Sequence, residues 1–280
     1  MILYKYVLYE AGRKIIAGNS IGFAGASDFN DPFELTGYPR EEAANPVLQF
    51  ITNIRADAKR GIWIRNSAIL CLTRSPLNPL MWAHYAEAHR GFVIGFDVNV
   101  SGFTATDMNL LPAQFGSMIY TEQKPRHKLV ISALMEVGGE MSYRPELLEK
   151  LQRLFLHKPL CWSYEEEVRI VRCVKGIEHA AELPSGTFTL LALSDRQLYL
   201  LALPDDAIRE VYLGVRNPII DQGEIQSFAA EMHKQHANAR LLRCVVGEAE
   251  WTLESKEVGL WRRTALRSDV SCKATVGQTC

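Results

Sequence analysis

The sequence has no long apolar run and no excess of charge of one sign. No stretch of its 280 residues approaches the ~20 apolar residues of a membrane-spanning helix, and the N-terminus lacks the pattern of a secretory signal. Lys and Arg number 31 against 32 for Asp and Glu, which argues against a broad surface for duplex DNA or an anionic membrane. We therefore expect a cytoplasmic protein without membrane contact or broad DNA binding.

The six cysteines are scattered along the chain rather than paired. They occupy positions 71, 161, 173, 244, 272 and 280, with no Cys-x-x-Cys motif and no histidine at zinc-ligand spacing. A disulfide framework and a structural zinc site are both poor interpretations of this pattern. We expect reduced thiols and predict no metal.

Helical and strand patterns are mixed without strict alternation, and no repeat or linker interrupts them. This predicts an α+β fold with a mixed or antiparallel central sheet flanked by helices, forming one domain over residues 1–254. Residues 255–280 lose periodicity and are predicted to be a loosely held tail. Strands are predicted at 2–8, 21–24, 68–73, 92–97, 115–120, 166–174, 187–193, 208–213 and 241–246. Helices are predicted at 10–17, 46–59, 79–88, 128–138, 145–157 and 221–236.

Residues 78–91 crowd two aromatic residues, two histidines and an arginine into one short stretch. Asn78 is a typical N-cap and Pro79 a typical first helical residue, and on this helix His84 and Tyr85 share a face with Met81. A polar ligand site is one interpretation, whereas core packing of the aromatic residues is the other. The candidate ligand or catalytic residues here are Trp82, His84, Tyr85, His89 and Arg90.

Residues 158–169 form a second dense patch. On a strand over 164–171, the side chains of Glu165, Glu167 and Arg169 would point to one side. One glutamate could hold a sugar hydroxyl or activate a nucleophile while the second tunes its pKa, and Trp162 with Tyr164 would supply an apolar wall. A solvated polar strand face is the alternative interpretation, and both stay open.

Two N-terminal motifs carry further candidates. Tyr4 and Lys5 belong to a strand, and a lysine near an acidic face could bind phosphate, although an isolated lysine usually reaches solvent. The run Phe29-Asn30-Asp31-Pro32-Phe33-Glu34 is typical of a turn, in which Asn30 and Asp31 are candidate ligand contacts.

These motifs, together with Tyr212-Leu213-Gly214, resemble the bacterial domain-of-unknown-function family 2971 (DUF2971) in order and spacing over about residues 3–215. The resemblance carries no firmly assigned activity. It implies an accessory protein of bacterial genomes, with a link to phage defence as one expectation.

A more distant likeness is to the ADP-ribosyltransferase superfamily, which uses NAD as a substrate. Its first motif resembles Tyr4-Lys5, although Lys5 stands where Arg or His is usual. Its second resembles either Thr73-Arg74-Ser75 or Tyr85, and its third resembles Glu165-x-Glu167. The likeness implies NAD cleavage with transfer to a protein or RNA acceptor.

This likeness also implies a role for each residue. Glu167 would stabilise the oxocarbenium-like state and Glu165 would orient the acceptor. Tyr85 or Trp82 would stack on nicotinamide, Lys5 would pair with the diphosphate, and His84 would hold a ribose hydroxyl. The remaining ligand-binding candidates are Tyr4, Asn30, Asp31, His89, Arg90, Trp162 and Arg169.

Two other functions remain compatible with the sequence. A metal-independent nuclease would use His84 and His89 as acid and base, with Arg90 or Arg169 on phosphate. A non-catalytic sensor or interaction module would bind a small ligand or a partner protein without turnover.

Overall fold

The described residues form an α+β structure that is built on one large sheet. The computed structural model describes residues 1–26, 28–29, 33–37, 45–125, 142–177, 179–183, 186–193 and 196–259. The strands are β1 Ile2–Val7, β2 Ser20–Gly25, β3 Ser67–Thr73, β4 Phe92–Asp97, β5 Ile119–Thr121, β6 His157–Pro159, β7 Glu167–Cys173, β8 Ala180–Leu183, β9 Gly186–Ala192, β10 Gln197–Ala202, β11 Ile208–Leu213, β12 Arg240–Val246 and β13 Leu253–Glu257. The α-helices are α1 Tyr9–Gly18, α2 Pro46–Arg65, α3 Pro79–Tyr85, α4 Leu148–Phe155, α5 Pro218–Asp221 and α6 Ile225–Gln235.

Eleven strands of the described chain form one large sheet. Its order is β13-β12-β11-β4-β1-β3-β2-β10-β9-β8, with β7 paired to β3 off this path. Neighbours are antiparallel except for β11 and β12, and β5 pairs with β6 in a separate parallel ladder. The predicted α+β single domain is therefore confirmed, and in the described ranges no helix is long and apolar enough to cross a membrane.

The sheet divides at β3. One edge of β3 pairs with β7 over its full length, from Ser67 opposite Cys173 to Thr73 opposite Glu167. The other edge meets β1 only where Tyr4 lies opposite Thr73, and it meets β2 only further back along β3. The strands β1 and β2 therefore diverge beside the middle of β3, and a gap opens there.

Alternation along β7 separates core residues from site residues. Val168 and Ile170 are buried in the largest apolar core, so Glu167 and Arg169 project from the opposite face. The outer edge of β7 is covered closely by the chain around Gly116, whose carbonyl oxygen accepts a hydrogen bond from the Arg169 backbone N–H at 2.8 Å. A Cβ on Gly116 would lie 1.9 Å from the Arg169 carbonyl oxygen, so only glycine permits this approach.

Several predicted boundaries differ from those in the structure. The helix predicted to reach residue 88 ends at Tyr85, because Glu87, Ala88 and His89 adopt left-handed conformations with φ between 49° and 70°. The strand predicted from 166 begins at Glu167, because Glu166 is also left-handed, with φ of 45°. Glu165 consequently ends a short 3-10 helix, Leu160–Glu165, rather than lying on the strand.

Other segments differ in type or extent. The helix predicted over 46–59 continues to Arg65. The segment predicted as one helix over 145–157 is a 3-10 turn, then α4, then β6, and the predicted strand over 115–120 is a 3-10 turn followed by β5. The helix predicted over 221–236 corresponds to α6, which begins later, at Ile225, and follows the short α5, while β8, β10 and β13 were not predicted. Ordered sheet extends to Glu257, past the predicted boundary at 254, and the helix predicted at 128–138 lies outside the described residues.

Candidate active site

A cavity of about 630 Å³ is lined in part by residues of β1, β3 and β7. Its wall contains six aromatic side chains, from Tyr4, Tyr6, Phe29, Phe33, Tyr85 and Trp162. Its wall also contains six charged side chains, from Lys5, Glu34, Lys158, Glu165, Glu167 and Arg169. A cavity of this size with apolar walls and a few converging polar groups is typical of a small-molecule site.

Three strands bring the site together by their register. Tyr4 of β1 lies opposite Thr73 of β3, and Thr73 lies opposite Glu167 of β7. All three residues line the cavity. The N-terminal strand and the acidic segment, which are more than 160 residues apart in the sequence, are therefore neighbours on either side of β3.

Glu167 is a buried carboxylate that is held by two cations. Its Oε1 accepts a hydrogen bond from Arg169 Nε at 2.7 Å, and its Oε2 accepts one from Lys158 Nζ at 3.2 Å. Burial alone would raise the pKa of Glu167, but Arg169 and Lys158 outweigh burial and lower the pKa to about 2. The carboxylate is therefore ionised at any pH near neutrality.

Arg169 is almost completely buried and is shared by two glutamates. Its Nη1 and Nη2 donate to Glu34 Oε2 and Oε1 at 2.8 and 2.5 Å, while Nη1 also donates to the Phe155 carbonyl at 2.8 Å. The Phe29 ring lies over the guanidinium, 5.0 Å from ring centroid to Cζ. Burial opposes the charge of Arg169, but Glu167 outweighs burial and raises the pKa of Arg169 well above its ordinary value.

Glu165 reaches the cavity from the 3-10 helix that precedes β7. Its Oε1 accepts a hydrogen bond from Tyr85 Oη at 2.6 Å, and its Oε2 accepts one from Lys158 Nζ at 2.6 Å. Burial and Glu165 raise the pKa of the Tyr85 phenol. Burial alone would lower the pKa of Lys158, but Glu167 and Glu165 outweigh it and raise that pKa. Tyr85 is thus a stable donor and Lys158 a stable cation.

Lys5 faces the gap in the sheet. In the part of the chain that the structure describes, it forms no ion pair with a carboxylate, and its Nζ donates to the Cys71 carbonyl at 3.3 Å. Burial lowers the pKa of Lys5, and burial raises the pKa of the neighbouring Cys71 thiol. A bound anion would stabilise the protonated form of Lys5, whereas the Cys71 thiol stays protonated and unreactive.

Tyr4 is anchored from behind the cavity. Its Oη donates to Glu210 Oε2 at 3.0 Å, and Tyr212 Oη donates to the same oxygen at 2.8 Å. Burial and the Glu210 carboxylate raise the pKa of Tyr4 to about 12. The ring of Tyr4 is therefore a fixed, uncharged part of the wall.

The structure brings seven of the predicted site residues into the cavity wall. They are Tyr4, Lys5, Tyr85, Trp162, Glu165, Glu167 and Arg169. Asn30 and Asp31 lie outside the described residues. Thr73, which belongs to one of the two alternatives for the second motif, also lines the cavity, as does the other alternative, Tyr85.

Four other candidates are not in that wall. Trp82 has no exposed surface, and its Nε1 donates to the Pro76 carbonyl at 2.9 Å. Trp82 is therefore a core residue, as the alternative interpretation of its segment had it, and it cannot stack on a ligand in this conformation. His84 and Arg90 are exposed outside the cavity. His89 stacks on Trp82, with ring centroids 6.2 Å apart, and burial lowers its pKa.

Sequence reasoning missed Glu34 and Lys158 as members of the charged cluster. Lys158 Nζ lies 3.7 Å from Glu34 Oε1 in addition to its two shorter contacts. Glu34 stood inside one of the motifs that carried the resemblance, and Lys158 stood at the start of the dense patch 158–169, which was the available signal for each. Within the described ranges, no group of three or more His, Cys, Asp and Glu side chains is arranged to hold a metal ion.

The chain is similar to a protein family without an assigned activity. The family described as "Protein of unknown function (DUF2971)" matches residues 81–170. The matched segment includes Tyr85, Lys158, Glu165, Glu167 and Arg169. No curated protein and no solved structure matches the chain. The similarity therefore covers the part of the cavity wall that contains Glu165 and Glu167. Because the family has no assigned activity, the chemistry of the cavity has to be inferred from its residues.

Proposed function

We propose that the cavity is the active site of an ADP-ribosyltransferase-like enzyme that cleaves NAD. The observation that supports this most is the register of Tyr4, Thr73 and Glu167 across three adjacent strands. These residues belong to the three segments that resemble the motifs of that superfamily. Their convergence on one cavity is what a shared NAD site requires.

The reaction would break the bond between nicotinamide and the ribose C1′ carbon. Positive charge develops on the ribose as this bond lengthens, and a fixed carboxylate near the ring stabilises that charge. Glu167 meets this requirement because it is ionised and held by Arg169 and Lys158. Nicotinamide leaves with the bonding electron pair, and an acceptor nucleophile of a protein or RNA forms the new bond to C1′ while losing a proton.

Glu165 is the candidate for handling that proton. It accepts a hydrogen bond from Tyr85 and contacts Lys158, so its orientation is fixed. The positively charged nicotinamide ring suits the aromatic wall, because cations are attracted to ring faces. Tyr85 and Trp162 are the candidates for this contact, in place of the buried Trp82.

Lys5 is the candidate partner of the NAD diphosphate. It lines the cavity without a carboxylate partner among the described residues, and a diphosphate would supply the compensating charge. A cytoplasmic enzyme would have NAD available. We also propose a role in phage defence. In that role, the acceptor of the ADP-ribose would be a macromolecule of the phage or of the host.

Incubation of the purified protein with NAD tests the proposal. We expect nicotinamide release, with labelled ADP-ribose transferred to the protein itself or to an extract, and we expect Glu167→Gln to lose this activity by at least about 10²-fold. Glu149→Gln is the matched control, because Glu149 also pairs with an arginine but lies on α4 outside the cavity. Absence of both NAD binding and nicotinamide release in the wild type would reject the proposal.

A second candidate function is a non-catalytic module that binds a small ligand. It is favoured by the internal pairing of Glu34, Glu165 and Glu167 with Lys158 and Arg169, since a closed ion network also serves a purely structural purpose. This alternative predicts saturable binding of NAD or another ligand by calorimetry without product formation. The nuclease alternative lacks such support, because His84 and His89 do not line the cavity.

A further inference from the structure

We propose that Arg169 and Glu34 are positioning residues that hold the Glu167 carboxylate in one orientation, with Arg169 as its main counter-charge. This inference rests on the proposed function, since it treats Glu167 as the carboxylate that faces the reacting ribose. It assigns Arg169 a role different from the ligand contact that the sequence suggested. It also gives a role to Glu34, for which the sequence suggested none.

All donor capacity of Arg169 is already used inside the protein. A guanidinium has five N–H donors. Nε donates to Glu167 Oε1, Nη1 donates to Glu34 Oε2 and to the Phe155 carbonyl, and Nη2 donates to Glu34 Oε1 and, at 3.4 Å, to Glu167 Oε2. No donor is left for a ligand, so Arg169 acts on chemistry only through Glu167.

The arginine fork fixes an orientation that a lysine alone does not fix. Arg169 lies two residues from Glu167 on the same face of β7, and it contacts both carboxylate oxygens. Lys158 contacts only Oε2, and its ammonium is a point charge on a flexible stem. With Lys158 alone, the Glu167 carboxylate would keep a neutralising charge, but only one of its two oxygens would be held by a cation.

Glu34 holds the far side of the same guanidinium. Its two oxygens accept from Nη1 and Nη2 in the bidentate geometry that arginine and carboxylate groups favour. The next residue, Leu35, adopts a left-handed conformation with φ of 59° and is buried beside Trp63. This unusual backbone, which most side chains avoid, lets Leu35 enter the core while Glu34 faces Arg169.

The electrostatic environment of Glu167 is set by residues from seven different parts of the chain. Arg169 on β7 and Lys158 on β6 are the cations in direct contact, and Tyr120 Oη accepts a hydrogen bond from the Glu167 backbone N–H at 2.9 Å. The other titratable groups that face it are Glu165 on the 3-10 helix, Glu34 on the loop after β2, Cys71 on β3 and Lys5 on β1. Removal of Arg169 therefore leaves Lys158 as the one contacting cation among the described residues, with two carboxylates close by.

The first test measures the ionisation of Glu167 directly. Glutamate side chains are labelled with ¹³C and titrated by NMR, and the Glu167 signal is identified by its absence in Glu167→Gln. We expect Arg169→Gln to raise the pKa of Glu167 from about 2 toward the ~4.3 of an ordinary glutamate, and Arg169→Lys to raise it less. An unchanged pKa in Arg169→Gln would overturn the inference.

Arg172→Gln is the matched control for this titration. Arg172 is an equally buried arginine three residues further along β7, but it lies on the other face, beside Phe23 and Phe103. It controls for the loss of stability that follows from changing any buried arginine. A rise in the Glu167 pKa of the same size in Arg172→Gln would also overturn the inference.

A second readout separates this inference from the proposed function. If the wild type releases nicotinamide, Arg169→Lys should lower kcat by about 10²-fold with less than about threefold change in KM, because a misplaced carboxylate affects the transition state more than binding. If the wild type has no activity on NAD, the proposed function fails, while the NMR result still decides whether Arg169 is the main counter-charge of Glu167.

Glu34→Ala keeps the inference testable if Arg169→Gln does not fold. This variant retains the Arg169–Glu167 contact but removes the group that fixes the guanidinium. We expect slow hydrogen exchange of the Arg169 Nε–H in the wild type and exchange at least about tenfold faster in Glu34→Ala, whereas Glu149→Ala should leave it unchanged. Equal exchange rates in the wild type and Glu34→Ala would contradict a positioning role for Glu34.

Discussion

Two arginines of β7 are buried to the same degree, but carboxylates surround one of them and aromatic rings surround the other. Arg169 is 1% exposed and Arg172 is 2% exposed. Arg169 faces the cavity and is held by Glu167 and Glu34. Arg172 faces the main core, where its Nε donates to Asn109 Oδ1 at 2.8 Å and its guanidinium lies near three phenylalanine rings.

The two environments shift the pKa of the arginine in opposite directions. Burial lowers the pKa of Arg172 to about 10. Burial opposes the charge of Arg169 as well, but Glu167 outweighs burial and raises the pKa of Arg169. Burial alone therefore does not identify a functional arginine. What distinguishes Arg169 is that its compensating charges, the carboxylates of Glu167 and Glu34, lie on a cavity wall.

The largest effect on stability is expected from Arg169→Met. This change leaves Glu167 and Glu34 buried without the cation that they share, and breaking a buried ion pair in this way typically costs about 3–5 kcal/mol. Urea unfolding followed by circular dichroism measures the loss in the free energy of unfolding. A loss below about 1 kcal/mol would mean that Lys158 alone compensates both carboxylates.

The second-largest effect on the free energy of unfolding is expected from acid, through protonation of Glu167. Because the pKa of Glu167 is lower in the folded state, at about 2, its stabilising contribution is present above the unfolded pKa of ~4.3 and is lost as pH falls through about 2. We expect Glu167 to account for about 2 kcal/mol of the stability lost between pH 5 and pH 2.5. Unfolding of wild type and Glu167→Gln at both pH values measures this contribution, and equal pH dependence of the two proteins would refute it.

Arg172→Met should cost less than Arg169→Met, about 1–2 kcal/mol. The change removes a hydrogen bond to Asn109 and contacts between a cation and aromatic rings, but methionine fills the apolar space and carries no charge to be desolvated. The comparison uses the same urea unfolding experiment. Equal losses at positions 169 and 172 would show that the carboxylates around Arg169 add nothing to its stabilising effect.

The smallest effect is expected at a third arginine, whose carboxylate partner is exposed. Arg153 Nη2 contacts Glu149 Oε1 at 2.6 Å across one turn of α4, and the Arg153 side chain is 8% exposed whereas the Glu149 side chain is 60% exposed. Pairs at this spacing on a helix typically contribute about 0.3–0.5 kcal/mol, and solvent screens the Glu149 carboxylate, so Glu149→Gln should lower the free energy of unfolding by no more than that amount. A larger loss would weaken its use as a control for changes in the cavity.

Much of the fold followed from local pattern. The strands β3, β4, β11 and β12 were predicted within one residue at each end, because each is a β-branched or aromatic run bounded by polar or turn residues. The end of α3 was missed because Glu87, Ala88 and His89 are left-handed without a glycine or asparagine to signal it. Local propensity does not report such positions, since tertiary contacts impose them.

The candidate site was predicted only in part, because local pattern reports neighbours in the sequence but not distant contacts. The spacing of Glu165, Glu167 and Arg169 indicated that their side chains point to one side, and all three line the cavity even though Glu165 precedes the strand. The contact between Arg169 and Glu34 joins residues 135 positions apart, and no local pattern encodes such a pair. Trp82 was a candidate for ligand stacking because its position on α3 left two faces possible, and packing against Tyr6 put it in the core.

We propose that Glu167 acts on NAD held in the cavity that β1, β3 and β7 line. The measurement that tests it most directly is a parallel time course of nicotinamide release by the wild type and by Glu167→Gln, with NAD binding to both proteins measured by calorimetry. If Glu167 acts in this way, both proteins will bind NAD and only the wild type will release nicotinamide at a measurable rate. Equal release by the two proteins, or no binding of NAD to either, would contradict it.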